Sequence, residues 1–215
     1  VAIAPGYALA NVDSVDITVK GKGGHGAYPH STKDPVVLAS RMVLALQTIS
    51  SREISPLEPN VMTVGSIHGG SKHNIISDEV KLQLTLRSYN PDVRLQQIDA
   101  LKRLTRGIAI SAGVPDELMP VVYVHEEERI PSTYNDPILA TKIQTSIETE
   151  LGVENVSKSE PVMAGEDFGL YGLTAEKRPI TIFWLGAVEP NAYQVSLDEG
   201  SSLPSLHSSQ FAPDY

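Results

Sequence analysis

Val80-Lys81-Leu82-Gln83-Leu84-Thr85-Leu86-Arg87 alternates apolar and polar side chains without a break. A period of two is the mark of a half-buried strand, with one face on a core and the other turned outward. Upstream, Val15, Ile17 and Val19 alternate with Asp16, Thr18 and Lys20 in the same way. Val61 to Ile67 reads as a further strand that ends at Gly69-Gly70. Met119 to Val124 reads as a fourth.

Helical patterns separate these strands. Asp34-Pro35 is a helix start, an N-cap acceptor followed by proline at the first helical position. Val36, Val37, Leu38, Met42, Val43, Leu44 and Leu46 then carry a wide apolar face to about Ser50. Asn90-Pro91-Asp92 opens a second helix over Val93 to Ala112, which Gly113 ends. The order over residues 13–126 is therefore β-α-β-β-α-β, the split βαβ or ferredoxin-like pattern: an antiparallel sheet with two helices on one face.

Residues 127–215 read differently. Asp136-Pro137 starts a third helix that Gly152 ends, and Met163-Ala164-Gly165-Glu166-Asp167-Phe168 opens a short one. Ile180 to Leu185 reads as a fully apolar strand. A turn-rich loop, Gly186 to Ser205, leads to Leu206-His207. So few strands would leave a sheet edge unpaired. This part is expected to complete an α/β sheet whose other strands precede Val1, with residues 13–126 inserted into that larger domain and residues 1–12 as the end of its first segment. The fold class is mixed, α+β and α/β.

Composition narrows the function. A net charge of −9 with no Lys/Arg cluster argues against nucleic acid as partner. The absence of cysteine removes disulfides, thiol nucleophiles and Cys-based metal sites from the chain, and fits a reducing, cytoplasmic setting. No apolar run approaches the ~18 residues of a membrane span, so no membrane partner is expected.

Chemistry concentrates in Gly21-Lys22-Gly23-Gly24-His25-Gly26-Ala27-Tyr28-Pro29-His30, where four glycines in six positions frame an imidazole. A histidine held on such a loop can donate to an anion or oxyanion, or serve only as a turn residue. Gly21-x-Gly23-x-x-Gly26 matches the dinucleotide fingerprint in form alone, because Pro29 and the Asp34 cap put the helix start well beyond the third glycine. Asn74, between two strands, suits a turn, and Arg87 on a polar strand face suits solvent. Together, an amide and a guanidinium fork also suit a carboxylate. Glu166, beside Gly165, is either a site carboxylate or an acidic residue favoured at a helix start. His207 stands alone.

Taken together, GKGGHGAYPHSTKDPVVLAS, LQTISSRE, NIISDEVKLQLTLRSY, MAGEDFGLYG and LHSSQF resemble the M20 metallopeptidases and amidohydrolases, in order and over essentially the whole chain. The nearest subgroup includes hippurate hydrolase, N-acyl-amino-acid hydrolases and auxin-conjugate hydrolases. The resemblance implies a ferredoxin-like lid, residues 13–126, that forms a homodimer. It also implies a catalytic α/β domain whose C-terminal part is residues 127–215. It further implies hydrolysis of the amide bond of an N-acyl amino acid or small peptide-like substrate with two divalent metal ions (Zn, Mn, Ni or Co). His25 would polarise the substrate carbonyl, commonly in the partner subunit's site. Asn74 and Arg87 would bind the substrate carboxylate, Gly165 and Glu166 would line the pocket, and His207 would ligate metal. The turn after Asn74 reads Ile75-Ile76-Ser77 where the family usually has VIP. The family's other ligands and general base would precede Val1, so the 215 residues alone are expected neither to hold the metal pair nor to hydrolyse amides. The alternative roles are a non-catalytic dimerisation module or a degenerate amino-acid-binding protein.

Overall fold

The computed structural model of the chain describes residues 1–211. Eight strands and four α-helices follow in order. They are β1 (Gly6–Leu9), β2 (Asn11–Lys20), β3 (Gly24–His25), α1 (Pro35–Thr48), β4 (Asn60–Gly69), β5 (Ile75–Ile76), β6 (Glu79–Ser88), α2 (Pro91–Ser111), β7 (Val121–Val124), β8 (Thr133–Asn135), α3 (Pro137–Leu151) and α4 (Pro190–Glu199).

The main sheet has the order β4-β6-β2-β7 with every pair antiparallel. This is the ferredoxin-like arrangement that the alternating segments predict. The register sets Lys20 against Glu79 at one end and Asn11 against Ser88 at the other. Inward residues Val15, Ile17, Val19, Leu82, Leu84 and Leu86 join Leu38, Met42 and Leu46 of α1 and Val93, Ile98 and Leu101 of α2 in one buried cluster. Each such side chain taken out of water contributes roughly 1.5–3 kcal/mol. The helices thus cover one face and leave the polar face of β2 and β6 open.

Caps fix the helix starts. Asp34 Oδ1 accepts from the amide of Val36 at 2.9 Å and of Val37 at 3.4 Å, and Pro35 follows as the first helical residue. Asp34→Ala is expected to lower stability by about 1 kcal/mol. The check is a lower urea midpoint with an unchanged slope.

A buried polar chain ties the far end of the sheet together. Asp13 is fully buried and Arg94, on α2, nearly so. Arg94 Nε donates to both Asp13 oxygens at 2.9 Å, and its Nη2 donates to Asp13 Oδ1 at 2.6 Å and to Glu126 Oε1 at 2.8 Å. Asn11 Nδ2 donates to Asp13 Oδ2 at 2.8 Å, and Ser88 Oγ donates to Asn11 Oδ1 at 2.6 Å.

A second charged group staples β7 to β2 on the open face. His125 Nε2 lies 3.1 Å from Asp16 Oδ2, and its Nδ1 lies 3.2 Å from Glu127 Oε1 and 4.0 Å from Glu128 Oε1. The hydrogen bond to Asp16, aided by Glu127 and the nearby charges, outweighs ring desolvation and holds the His125 pKa above its usual 6.5. A raised folded-state pKa gives stability that is complete below about pH 6.5 and is lost as pH rises through the folded value. The stability difference between the parent chain and His125→Gln is therefore expected to shrink as pH rises from 6 through 9. Chemical unfolding at a series of pH values reads it, and a difference that grows with pH would contradict the staple.

Residues 127–211 depart from the sequence expectation in three places, the Ile180–Leu185 segment, α4 and β8. Ile180 to Leu185 is not a strand, and only Trp184 makes an isolated bridge, to Ala2. Its backbone is satisfied otherwise: Asn135 Nδ2 donates to the Ile182 carbonyl at 2.8 Å, and the Ile182 amide donates to Asn135 Oδ1 at 2.7 Å. The segment read as a loop, Gly186 to Ser205, contains α4. Glu189 caps it through the Ala192 amide at 2.8 Å, Pro190 is its first residue, and Gly200 ends it in the left-handed region at φ 65°. The short β1–β8 ribbon was not legible as strands. The helix opened by the 163–168 segment is a 3-10 helix, Asp167–Leu173.

Candidate active site

His25 sits where two loops are stitched together at the Lys20–Glu79 end of the sheet. β3 pairs with β5, setting Gly24 against Ile76 and His25 against Ile75. The Gly26 amide donates to the Asn74 carbonyl at 2.8 Å, so Asn74, the turn residue that leads into β5, lies beside the strand that carries His25. A Cβ on Gly26 would stand 3.1 Å from that same peptide, which accounts for glycine there. His25 is exposed, and its Nδ1 accepts from the Ala27 amide at 3.0 Å. An accepting Nδ1 places the ring proton on Nε2, leaving an outward donor with no partner among the described residues. Tyr28 lies edge-on to the ring at 5.7 Å. The Asn74 side chain is exposed and also makes no hydrogen bond among the described residues. A groove of about 610 Å3 opens beside them, lined by Gly26, Lys72, His73 and Ile75 among others.

Arg87, Gly165 and Glu166 form a second group at the opposite end. Arg87 is half-buried, and its Nη1 donates to the Met163 carbonyl at 2.6 Å. The Ala10 amide donates to Ala164 O at 3.0 Å, and a Cβ on Gly165 would fall 2.3 Å from Val12 Cγ2. Val12 is the β2 partner of Arg87. The close approach that only glycine permits therefore lays the 163–166 segment across the arginine. Glu166 is half-buried, and its Oε1 caps the 3-10 helix through the Phe168 amide at 3.3 Å. The helix-start reading of this carboxylate is thus realised in the structure.

The two groups do not meet within one chain. Glu79, beside the His25 loop, and Arg87 are eight residues apart along β6, which is roughly 27 Å of strand. Asn74 and Arg87 therefore cannot hold one small carboxylate from a single copy. His207 is exposed in a turn with φ 65°, and no hydrogen bond ties its side chain to either group among the described residues. Among those residues no cluster of three or more His, Cys, Asp or Glu side chains could hold a metal ion, so the residues present do not fit a dinuclear centre. No helix among them is long and apolar enough to cross a membrane. Sequence reading missed Asp78, which accepts hydrogen bonds from the amides of Gly21 and Gly23, and the Met163 carbonyl under Arg87.

Residues 7–110 match the family model described as the peptidase dimerisation domain of M20 type. The chain is 32% identical over 202 residues to an N-acetyldiaminopimelate deacetylase of Leuconostoc citreum, covering 93% of this chain and 50% of that protein. It thus spans about half the length of the curated relatives it matches. Among solved structures it is similar to a putative aminohydrolase from methicillin-resistant Staphylococcus aureus. That likeness has a TM-score of 0.76 and 31% identity, over 88% of this chain and 46% of that one. The fold is shared with the Bacillus subtilis YXEP protein, described as a dinuclear metal binding peptidase, at a TM-score of 0.68 and 21% identity. That match covers 99% of this chain and 47% of the other. The sheet order, the glycine-framed loop and these likenesses agree: the chain carries a peptidase dimerisation domain and belongs to the M20 family.

Proposed function

We propose that the chain is the substrate-gripping and dimerising half of a metal-dependent hydrolase that cleaves the amide bond of N-acyl amino acids, and that its site is assembled from two copies. The observation that carries this reading is the separation of the two residue groups by the length of the sheet. One copy offers an outward imidazole donor and an amide. The second offers the guanidinium and the pocket segment. A homodimer through residues 13–126 lets the first group of one protomer face the second group of its partner.

In this reading His25 Nε2–H donates to the carbonyl oxygen as negative charge develops on it, an oxyanion-hole role. Arg87 of the facing copy takes the free carboxylate of the amino acid in a forked, charge-assisted bond, and Asn74 completes the clamp. Gly165 lets the 163–166 segment close against Val12 and lie across Arg87, and Glu166 orders the pocket wall as the cap of the following helix. His207 contributes to the metal shell in the whole protein. Two divalent ions (Zn, Mn, Ni or Co) supply an activated water in such hydrolases. The described residues do not form their site, so the chain alone is expected to grip substrate without turning it over. Residues 13–126 act as the lid and 127–215 as the C-terminal part of the catalytic domain.

Titration of an N-acetyl amino acid into the chain, followed by backbone amide shifts, tests this. The Asn74–Ile76 and Met163–Glu166 amides are expected to respond together where the chain is dimeric. On dilution to the monomer the first response should vanish. Silence of both sets at every concentration would sink the proposal.

A further inference from the structure

The loop that carries His25 has almost no side chain holding it. Gly23 is half-buried, and Gly24 and His25 are exposed. Its tethers are mostly backbone: Lys22 and Lys33 exchange amide–carbonyl bonds at 2.9 and 3.0 Å, and Gly26 reaches Asn74. Glycine-rich backbone in this state retains wide conformational freedom. One residue acts on it twice. The Gly21 amide donates to the Asp78 carbonyl at 2.7 Å, and the Gly23 amide donates to Asp78 Oδ1 at 2.8 Å. Among the described residues, Asp78 is the one side chain outside residues 21–27 that hydrogen-bonds to that stretch. The approach is close enough to require glycine: a Cβ on Gly23 would stand 2.7 Å from the Ile76 carbonyl and 2.8 Å from Asp78 Oδ1.

We propose that Asp78 is a positioning residue for His25. Its carboxylate holds the Gly23 amide, its carbonyl holds Gly21, and the loop is thereby laid in register on β5, the strand that Asn74 leads into. With the entry to the loop fixed, the Ala27 amide can meet Nδ1, and the ring presents Nε2–H outward. Asp78 thus sets both the aim and the tautomer of the donor, and couples His25 to Asn74 four residues away. The weight of this for catalysis rests on the role proposed for His25 above. The two hydrogen bonds of Asp78 to Gly21 and Gly23 stand independently of that role.

Long-range proton–nitrogen spectra of the full chain report the His25 imidazole nitrogens. The parent chain is expected to show the Nε2–H tautomer alone. Asp78→Ala should average the two tautomers and speed exchange of the Gly23 amide about tenfold, the factor for one charge-assisted bond to a backbone amide. Amide patterns of α1 and α2 should stay unchanged. Asp78→Asn keeps an acceptor oxygen in place and should restore the parent signature. Gly23→Ala should lose it by a different route. Parent-like His25 shifts in Asp78→Ala, or an Asp78→Asn chain as disordered as the alanine variant, would overturn the proposal. If Asp78→Ala does not fold, the parent Gly23 amide decides: exchange at the rate of an unprotected glycine overturns it, and protection supports it. Failure of the catalytic reading looks different, because it would leave these spectra intact while His25→Ala left turnover unchanged.

Discussion

Arg94→Met is expected to cost the chain about 3–5 kcal/mol of stability, because it strands the Asp13 carboxylate in a fully buried site. Asp13 would keep only the Asn11 amide at 2.8 Å, against three donations from the guanidinium. The loss reaches beyond one pair. Arg94 also holds Glu126, so α2, β2 and the segment leaving β7 share the guanidinium. Replacing both partners, Asp13→Leu with Arg94→Met, should cost clearly less than the single change, since an empty apolar pair leaves no buried charge unpaired. Urea unfolding of the two singles and the double reads the coupling. Near-additive losses would show that the pair is not the source of the effect.

His25→Ala, in the whole enzyme of which this chain is proposed to be half, should lower kcat by about 100- to 1,000-fold with little change in KM. Loss of one oxyanion donor has that size, roughly 2.7–4 kcal/mol. The split matters, since an interaction made only in the transition state falls on kcat and not on ground-state binding. The fold should be untouched: the ring is exposed, and its one hydrogen bond to protein is the local turn to Ala27. A matching fall in stability would mean the imidazole is structural. A rise in KM at constant kcat would make it a binding group.

What was legible in the sequence follows the range of the interactions involved. β2 and β6 were readable because a one-sided core imposes period two, and Val15, Ile17, Val19, Leu82, Leu84 and Leu86 obey it. α1 and α2 were readable because Asp34-Pro35 and Asn90-Pro91 are local cap chemistry, and both side chains accept the expected amide bonds. α4 carries the same kind of signal, Glu189-Pro190 with Gly200, but neighbouring Gly, Asn and Ser residues obscured it. The Ile180–Leu185 segment misled because apolar character reports burial preference, not pairing: here the Asn135 side chain takes both backbone groups of Ile182, Asp136 bonds the Ile180 carbonyl and Ala2 bonds Trp184.

The site was legible as residue types and not as geometry. His25 and Asn74 lie 49 positions apart, and their meeting depends on the β3–β5 pairing, which no local pattern announces. Arg87 looked like a solvent-facing strand residue until the Gly165 approach put the Met163 carbonyl on it. That Arg87 and Asn74 occupy opposite ends of the sheet could be read only from the register.

The account turns on a site shared between two copies. Subunits of the whole enzyme carrying His25→Ala and subunits carrying Arg87→Ala, each nearly inactive alone, can be mixed in equal amounts and allowed to exchange. Random pairing makes half the dimers mixed, and each mixed dimer holds one intact composite site, so about a quarter of the parent activity should return. Activity that stays at the mean of the two separate variants would place both residues in the same copy's site and contradict the account.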